Sequence, residues 1–436
     1  MQAIKVGILG LGTVGGGTAN VLQRNAEEIT RRVGRSIEVS MASVRDLSRD
    51  RICDCSALTL TEDPFEIVNN PEIDVVVELI GGETLAKELV LKAIENGKHV
   101  VTANKALIAL FGNEIFAAAN AKGVTVSYEA AVAGGISIIK AIREGLAGNN
   151  IELVAGIING TGNFILTEMK DKGRTFEDVL AEAQALGYAE ADPTFDVEGI
   201  DAAHKLTILA SIAFGIPLQF EKVFTQGISE LSLDDVGYAQ ELGYRIKHLG
   251  IAKRDENGIE LRVHPTLIPE SQLIANVDGV MNAVLVKGDA VGDTLHYGAG
   301  AGAEPTASAV VADIVDVVRS IDADSLSKVP HLGFQANEIQ SQDVKTLAQY
   351  ESAYYLRVEA NDVAGVMTKM SAVFAENDVS IEGITQKEPK QGQESVSVIF
   401  ITQKTTESSV DKVIGTLSGM SDVENDIVKI RVEHFN

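Results

Sequence analysis

An aspartate and a lysine four residues apart, Asp201 and Lys205, stand at the start of a long apolar stretch of the chain. On a helix, residues at i and i+4 lie on one face, so these side chains would form a pair. The same face continues through Ile208, Leu209 and Ile212, which is typical of a helix turned toward the interior or a cleft wall. The pair is suited to acid–base chemistry in a cleft, although an ordinary surface ion pair fits these residues equally well.

Further carboxylates crowd the segment "GYAEADPTFDVEGIDAAHKLTIL" ahead of that pair, at Glu190, Asp192, Asp196 and Glu198. The whole chain is also acidic, with 62 Asp and Glu against 37 Lys and Arg and a formal charge of −25. Such a charge repels polyanions, so nucleic acid is not expected as a partner. Small-molecule ligands are the better expectation.

A glycine-rich motif, "GLGTVG", follows the first apolar run and comprises Gly10, Gly12, Thr13, Val14 and Gly15. In a G-x-G-x-x-G turn between strand and helix, the first glycine makes the turn. The second lets the backbone approach a pyrophosphate, and the third packs helix on strand. The helix N-terminus adds free N–H groups for the anion. The motif predicts a dinucleotide site, the alternative being a glycine-rich turn without a ligand.

The residues at the end of the second predicted strand should determine whether NAD or NADP is preferred, because an acidic residue there binds the ribose of NAD. Here the strand ends in Arg45 and Asp46, with Arg49 a turn later. The arginines could hold the 2′-phosphate of NADP or stack on adenine, whereas Asp46 would favour NAD. We predict that NADP is preferred and that NAD is also used.

Composition places the chain among ordinary globular proteins of two or three domains, with 436 residues, 45% hydrophobic and 23% charged. No apolar run reaches the roughly 18 residues of a membrane span, and the N-terminus resembles no signal peptide. The two cysteines, Cys53 and Cys55, are too close for a good disulfide and read as reduced thiols. These features predict a cytoplasmic protein without a membrane partner.

Apolar strands alternate with helices over the first part of the chain, which predicts a doubly wound parallel sheet of the Rossmann type in residues 1–134. Residues 135–320 mix long helical patterns with alternating strands and predict an α+β catalytic and dimerisation domain. A glycine-rich loop near Gly302 opens a helix at about 305–320 that could pack back on the first domain. Residues 321–350 read as a linker.

The last segment, residues 351–436, has the order βαββαβ, with the turn "PKQGQ" between its middle strands. That order predicts a compact ferredoxin-like module.

Four long motifs together resemble homoserine dehydrogenase in the form that carries a C-terminal ACT regulatory domain. They are "VTANKALIA", "YEAAVAGGISII", "NGTGNFIL" and "LGYAEADPTFDVEGIDAAHKLTILA". The resemblance covers essentially the whole chain. One departure is Ser137, which stands where the family's "AGGIP" turn has proline.

The resemblance implies reversible hydride transfer between NAD(P)H and L-aspartate 4-semialdehyde, giving L-homoserine on the threonine and methionine route. It places the catalytic lysine at Lys205, its partner acid at Asp201, and the lysine near nicotinamide and substrate at Lys105. Burial and the charge of Lys105 should lower the pKa of Lys205, while Asp201 offsets part of that shift. The residues expected to bind the substrate are Glu190, Asp196, Asn159, Gly160 and Thr161. Gly302 is expected to bind the cofactor.

The loop "EAAVAGGI" is similar to the family's monovalent-cation loop. Its ligands for Na⁺ or K⁺ would be Glu129, through side chain or backbone, and the carbonyls of Val132, Gly134 and Ile136. The alternative is a glycine-rich turn that only connects domains. The seven histidines show no spacing typical of a metal site.

The C-terminal module resembles an ACT domain, in which Asn361, Asp362 and Gly365 lie between the first strand and helix. The resemblance implies that this edge binds L-threonine, the alternative being a module that only dimerises. It also implies a homodimer through the middle domain, or a homotetramer through further pairing of the modules.

Two other functions compete with this interpretation. One is another NAD(P)-dependent dehydrogenase that acts on an amino-acid aldehyde or alcohol, and the other is a non-catalytic metabolite sensor.

Overall fold

A six-stranded parallel sheet forms the N-terminal part of the computed structural model, which describes residues 3–324, 327–388, 395–424 and 426–435. The spatial order of its strands is β3-β2-β1-β4-β5-β6. Because the order reverses between β1 and β4, a crevice opens there at the carboxyl ends of the strands. The strands are β1 (Ile4–Leu9), β2 (Ile37–Ser43), β3 (Thr59–Thr61), β4 (Val75–Glu78), β5 (His99–Thr102) and β6 (Val126–Ser127).

Helices cover both faces of this sheet, as expected for a doubly wound fold. Two consecutive helices follow β1, because the backbone leaves helical geometry at Asn25. The short strand β3 was not predicted, since three residues give too little pattern to detect. The helices are α1 (Thr13–Arg24), α2 (Ala26–Val33), α3 (Pro64–Asn69), α4 (Thr84–Glu95) and α5 (Lys105–Lys122).

The middle of the chain builds a second, mixed sheet whose own strands β12-β11-β7-β9-β10 pair antiparallel, while β8 joins β10 in parallel. Helices α7, α10 and α11 pack on it. Its strands are β7 (Ile151–Ile157), β8 (Phe224–Thr225), β9 (Tyr244–Asp255), β10 (Gly258–Pro269), β11 (Met281–Gly288) and β12 (Gly292–Ala299). Its helices are α6 (Ile138–Lys140, continued by a π-helical turn at Ala141–Gly145), α7 (Gly160–Lys172), α8 (Phe176–Ala185), α9 (Thr194–Val197), α10 (Ile200–Phe214) and α11 (Leu233–Glu241).

Helix α12 (Ala303–Ser320) leaves the second sheet and packs against α1 of the first. The contact is close at Gly17, where an added Cβ would lie 2.7 Å from the carbonyl oxygen of Ala303. Ala307, Val310 and Ile314 join the core that underlies α1. A side chain at position 17 would therefore push the two helices apart.

The C-terminal part forms the predicted βαββαβ unit, with strand order β17-β13-β15-β14 and both helices on one face. The predicted turn "PKQGQ" lies outside the described residues. Its elements are β13 (Glu351–Asn361), α13 (Val366–Glu376), β14 (Ile381–Gln386), β15 (Ser395–Thr402), β16 (Thr405–Thr406), α14 (Glu407–Ser418) and β17 (Val428–Val432).

The C-terminal unit is joined to the middle of the chain by a continuous sheet, since β17 pairs with β10 in parallel at Thr266–Arg431 and Leu267–Val432. The face of its sheet opposite α13 and α14 shares one hydrophobic core with α7, α8 and α11. Within that core Tyr355 and Arg357 both bind the buried carboxylate of Asp235. The unit is thus built into the middle domain rather than attached to it by a tether.

The segment predicted as a linker contains only short 3₁₀ turns among its described residues, at Ala336–Glu338 and Leu347–Gln349. It nevertheless packs, because Ile339 and Val344 lie against the core and Val344 bridges to Ile259. Across the described ranges, no helix is both long enough and apolar enough to span a bilayer.

Candidate active site

One buried carboxylate holds two lysines at the start of α10. The Oδ2 of Asp201 lies 2.6 Å from the Nζ of Lys205, and its Oδ1 lies 2.7 Å from the Nζ of Lys105. Asp201 is 2% exposed and the Lys205 side chain 12%, so the alternative of a surface ion pair does not hold. From Asp201 to Phe214 every residue except Lys205 is buried, which explains why an apolar helix carries this pair inward.

The two lysines have opposite pKa shifts. Burial lowers the pKa of Lys205 and the charge of Lys105 adds to that effect, although Asp201 opposes both. For Lys105, burial is outweighed by the charges of Asp201, Asp196 and Glu190, and its pKa is raised. Burial of Asp201 is likewise outweighed by the two ammonium groups, which hold its pKa well below the usual range. Lys205 is therefore the lysine better able to release a proton.

Asn159 caps α7 and orients two acids. Its Oδ1 accepts a hydrogen bond from the backbone N–H of Gly162 at 2.8 Å. Its Nδ2 donates to Asp196 at 2.8 Å and to Asp201 at 2.9 Å. Since its amide is fully engaged, Asn159 supports the neighbouring carboxylates rather than presenting a free side chain to a ligand.

The first turn of α7 offers free donors beside this cluster. No described residue accepts a hydrogen bond from the backbone N–H of Gly160 or Thr161, and a helix N-terminus favours an anion. The Thr161 hydroxyl is used internally, because it donates to the carbonyl of Tyr188 at 2.6 Å. The backbone of this turn can therefore bind a carboxylate.

The other carboxylates of the segment divide into two groups. Glu190 is exposed and Asp196 is half-buried, and both act electrostatically on Lys105. Burial raises the pKa of Asp196. Asp192 instead accepts from the backbone of Thr194, and Glu198 from the hydroxyl of Ser229. Only Glu190 and Asp196 face the lysines. The sequence alone did not show which of the four carboxylates would do so.

The glycines of "GLGTVG" have the expected geometry at the end of β1. Gly10 has φ +92°, and a Cβ on Gly15 would lie 2.1 Å from the carbonyl oxygen of Gly10. Around Gly12 there is open space, and Thr13 is exposed with Val14 half-buried beside it. The arrangement leaves the backbone of the crevice open to a dinucleotide pyrophosphate.

Beyond that motif, Arg45 is exposed after the end of β2 and makes no hydrogen bond or ion pair with any described residue. One oxygen of the exposed Asp46 carboxylate, Oδ1, accepts from the backbone and hydroxyl of Ser48 at 2.8 and 2.6 Å. Gly302 has φ +121° and precedes α12.

Comparison with known proteins shows the family of the chain. Family models for the homoserine dehydrogenase NAD-binding domain, for homoserine dehydrogenase, and for the ACT domain match residues 10–129, 138–315 and 354–418. Homoserine dehydrogenase from Pseudomonas aeruginosa is 63% identical over the full length of both chains, and that from Neisseria gonorrhoeae is 55% identical. The chain belongs to the homoserine dehydrogenase family. It is therefore an oxidoreductase with an NAD-binding domain, a catalytic domain and a C-terminal ACT domain.

Solved structures support the same assignment. A homoserine dehydrogenase from Thiobacillus denitrificans superposes with a TM-score of 0.96 at 60% identity, covering 100% of this chain and 99% of its own. A hyperthermophilic archaeal homoserine dehydrogenase in complex with NADPH gives a TM-score of 0.60 at 25% identity. That structure covers 72% of this chain and 98% of its own.

The loop that resembles a cation site in homoserine dehydrogenases is largely buried. The side chain of Glu129 is occupied, since its two oxygens accept from the backbone N–H groups of Ile139 and Lys140. The carbonyl of Ile136 accepts from Ile138. The buried carbonyls of Val132 and Gly134 accept no hydrogen bond from any described residue. Two unsatisfied buried carbonyls fit a hard cation, with Glu129 contributing only through its backbone.

At the ACT edge, Gly365 is the N-cap that precedes α13, with φ +95°, and Asn361 and Asp362 are exposed beside it. Asp362 accepts a hydrogen bond from Gln386 of the neighbouring strand at 3.2 Å.

The sequence interpretation of this homoserine dehydrogenase missed Glu78, the last residue of β4. It is fully buried at the edge of the cofactor crevice. A carboxylate ending the apolar run "VVVE" was a usable signal, because ligands bind at the carboxyl ends of such strands. Phe195 was also missed; its ring lies 5.8 Å from the Nζ of Lys105.

Proposed function

We propose that this homoserine dehydrogenase reversibly reduces L-aspartate 4-semialdehyde to L-homoserine, with Lys205 as the proton donor. The observation that carries the proposal is the single carboxylate of Asp201 holding two lysines whose pKa values are shifted in opposite directions. When bound, the reduced nicotinamide supplies the hydride. Lys205 donates a proton to the aldehyde oxygen as it becomes an alcohol, and Asp201 holds the ammonium in place.

Lys105 stays positively charged through the reaction, because its pKa is raised. It can therefore stabilise negative charge that develops on the carbonyl oxygen. The amino group of the substrate is placed against Glu190 and Asp196, whose oxygens are acceptors. Its carboxylate is placed at the free backbone N–H groups of Gly160 and Thr161.

NADP is the preferred cofactor in this proposal. Arg45 is exposed and has no partner among the described residues, while one oxygen of the Asp46 carboxylate is held by Ser48, so the strand end offers a cation that can meet the 2′-phosphate. The archaeal relative solved with NADPH supports the same choice. The pyrophosphate would lie over residues 10–15, with Gly302 on the other wall.

A monovalent cation held by the carbonyls of Val132, Gly134 and Ile136 and the backbone of Glu129 is a further part of the proposal. It would fix the junction between the sheets, because this loop runs from β6 into α6. Crystals grown in sodium should show density coordinated by these carbonyls. A loop without such density would be a connecting turn only.

Assembly and regulation complete the proposal. Residues 1–134 bind the dinucleotide, 135–320 catalyse and dimerise, 321–350 connect, and 351–436 bind L-threonine near Asn361, Asp362 and Gly365. Tyr297 on the edge strand β12 is 60% exposed, and Leu273 in the 3₁₀ turn after β10 is 75% exposed; these apolar side chains support pairing of two copies through the middle domain. Pairing of two ACT domains would give a homotetramer. A monomer at micromolar concentration would contradict both the dimer and the tetramer.

The free thiols of Cys53 and Cys55 support a cytoplasmic location.

The deciding experiment is an assay of L-aspartate 4-semialdehyde reduction that follows loss of NADPH absorbance. We expect turnover with this substrate and much slower turnover with aldehydes that lack the amino or carboxylate group. Faster turnover of another amino-acid aldehyde would change the substrate. Cofactor binding without turnover of any aldehyde would mean a metabolite sensor.

A further inference from the structure

Glu78 lies at the point where the cofactor crevice and the Lys105 helix meet. It ends β4, between β1, which leads into residues 10–15, and β5, which leads into α5. Its side chain is fully buried. Within the described parts of the chain, no lysine or arginine forms an ion pair with it. A buried carboxylate without a cation is unfavourable unless hydrogen bonds satisfy it. The hydrogen-bond partners of Glu78 therefore indicate its role.

Three donors bind this carboxylate, two from the loop after β4 and one from the end of β5. Its Oε1 accepts from the backbone N–H groups of Ile80 and Gly81 at 3.0 and 3.1 Å. Its Oε2 accepts from the hydroxyl of Thr102 at 2.6 Å. Glu78 thereby ties the loop after β4 to the end of β5.

The connection closes into a ring at Asn104, the N-cap of α5. The Thr102 hydroxyl accepts from the backbone N–H of Asn104 at 3.0 Å. The Asn104 amide donates to the carbonyl of Gly82 at 2.6 Å and accepts from the backbone N–H of Leu107 at 3.1 Å. Lys105 is the next residue, the first of the helix. The ring thus fixes the backbone from which the Lys105 side chain extends toward Asp201.

The loop held by this ring is itself a wall of the crevice. Leu79 donates to the carbonyl of Leu9 at 2.8 Å, and a Cβ on Gly10 would lie 2.9 Å from the carbonyl oxygen of Leu79. Gly81 and Gly82 have positive φ and, like Gly12, open space where a side chain would be. Bare backbone therefore faces the crevice on both sides of the β1–β4 switch point.

We propose that Glu78 is a positioning residue for hydride transfer, whose carboxylate keeps the cofactor loop 79–82 and Lys105 in one fixed arrangement. It does not touch the reacting atoms. The inference rests on the proposed role of Lys105. It explains why a buried acid, rather than an apolar residue, ends the central strand: a side chain with two terminal polar atoms can bind the loop after β4 and the end of β5 at once.

The test is a double-mutant cycle between Glu78→Ala and Lys105→Ala, with kcat and the KM for NADPH measured for each protein. Glu78→Ala should lower kcat by at least about tenfold and change this KM by less than about threefold. In the Lys105→Ala background it should lower kcat by less than about twofold, because the group it positions is gone. Glu78→Gln, which keeps an acceptor and a polar contact to Thr102, should recover most of the rate.

The matched control is Asp63→Ala, which removes a carboxylate that caps α3 in the same sheet layer, 2.9 Å from the backbone N–H of Phe65. It should leave kcat unchanged. If Glu78→Ala is insoluble, Thr102→Val removes the hydroxyl at the centre of the ring and should act in the same direction. Amide exchange at residues 80, 81 and 107 should quicken in the Glu78 and Thr102 variants but not in Asp63→Ala.

Two results would overturn the inference: an equal loss of kcat from Glu78→Ala with and without Lys105, or unchanged amide exchange around the ring. These are distinct from failure of the proposed function. If Lys105→Ala alone keeps full turnover, the role of Lys105 is wrong and the positioning role falls with it. If Lys105→Ala is slow but the cycle is additive, only the role of Glu78 is wrong.

Discussion

Lys105 and Lys205 come from helices far apart in the chain, yet their ammonium groups bind opposite oxygens of one carboxylate, at 2.7 and 2.6 Å. The positive charge of each ammonium group lowers the pKa of the other, but the two groups lie in different surroundings. Lys105 is partly open and gains from several acids, whereas Lys205 is enclosed and also donates to the carbonyl of Ile158 at 2.7 Å. The shared carboxylate thus separates a permanent cation from a lysine that can exchange its proton.

Replacement of Lys205 by alanine should lower kcat by at least about a hundredfold, within the usual range for a general acid–base group. The KM values should change much less, because the lysine acts mainly in the transition state. Steady-state kinetics of aldehyde reduction measure both. Lys172→Ala, at an exposed position on α7, is the control; near-normal turnover in Lys205→Ala would remove Lys205 from the mechanism.

Asp201→Asn should move the pH profile as well as the rate. Lys205 must be protonated to donate, so aldehyde reduction is lost as pH rises through its pKa. Without the Asp201 charge the burial and the Lys105 charge remain, and the pKa of Lys205 falls further. The basic limb of kcat/KM should therefore shift to lower pH by about one unit or more. Asp192→Asn is the control, and an unshifted limb in Asp201→Asn would contradict the assignment.

Arg45→Ala should lower kcat/KM for NADPH by at least about tenfold, since it removes a charge-assisted contact to the 2′-phosphate. The kcat/KM for NADH should change by less than about threefold. Steady-state kinetics with both cofactors measure this, with Arg31→Ala on the outer face of α2 as the control. A hundredfold preference of the unaltered enzyme for NAD would overturn the prediction of NADP.

Asp313→Asn should flatten the pH dependence of stability. Burial raises the pKa values of Asp313 and Glu129 to about 7, and the charge of Asp313 adds to the shift of Glu129. A raised carboxyl pKa means that the folded state holds its proton longer. Its stabilising contribution is therefore full below the unfolded value of about 4 and is lost as pH rises to about 7. Asparagine keeps an acceptor for the backbone N–H of Glu129, which Asp313 binds at 2.7 Å.

Denaturant unfolding between pH 5 and 8 measures this prediction. The free energy of unfolding of the Asp313→Asn protein, relative to the unaltered one, should rise with pH by up to about 1.4 kcal/mol per unit. Asp289→Asn, at an exposed turn after β11, is the control. Parallel curves for Asp313→Asn and the unaltered protein would show that these carboxyls do not titrate in this range.

L-Threonine should inhibit the full-length enzyme, and Asp362→Ala should raise the concentration needed by about tenfold, because a charged hydrogen bond to the ammonium is lost. Uninhibited turnover should not change. Inhibition curves measure this, with Glu376→Ala at the far end of α13 as the control. Equal inhibition of the unaltered and Asp362→Ala enzymes would contradict the proposed site.

Truncation after about residue 345 would remove the ACT domain, but it is not a clean test of regulation. It would expose the core that α7, α8 and α11 share with the C-terminal sheet and leave Asp235 without Arg357. We expect the truncated protein to be less stable or insoluble, as judged by its melting temperature. Regulation should therefore be tested by point substitution at the ACT edge. A stable, fully active truncated enzyme that threonine no longer inhibits would show that the two parts separate after all.

The sequence by itself determined the local features: the dinucleotide turn, the long helices, the βαββαβ order and the i, i+4 pair of Asp201 and Lys205. These follow from spacing along the chain, because glycine geometry and side-chain periodicity are properties of short segments. It also supplied the family resemblance, since that depends on motifs. It could not divide the carboxylates of residues 190–198 into those facing the lysines and those capping local turns.

Only the tertiary structure decided which distant groups meet. Lys105 reaches Asp201 across 96 residues of chain because α5 and α10 pack together, and Glu78 meets Thr102 because two parallel strands end at one edge. The pKa shifts depend on burial and on charges from several elements, which no linear pattern contains. The continuous sheet through β10 and β17 was equally invisible, because strand pairing between remote segments leaves no mark on the sequence of either strand.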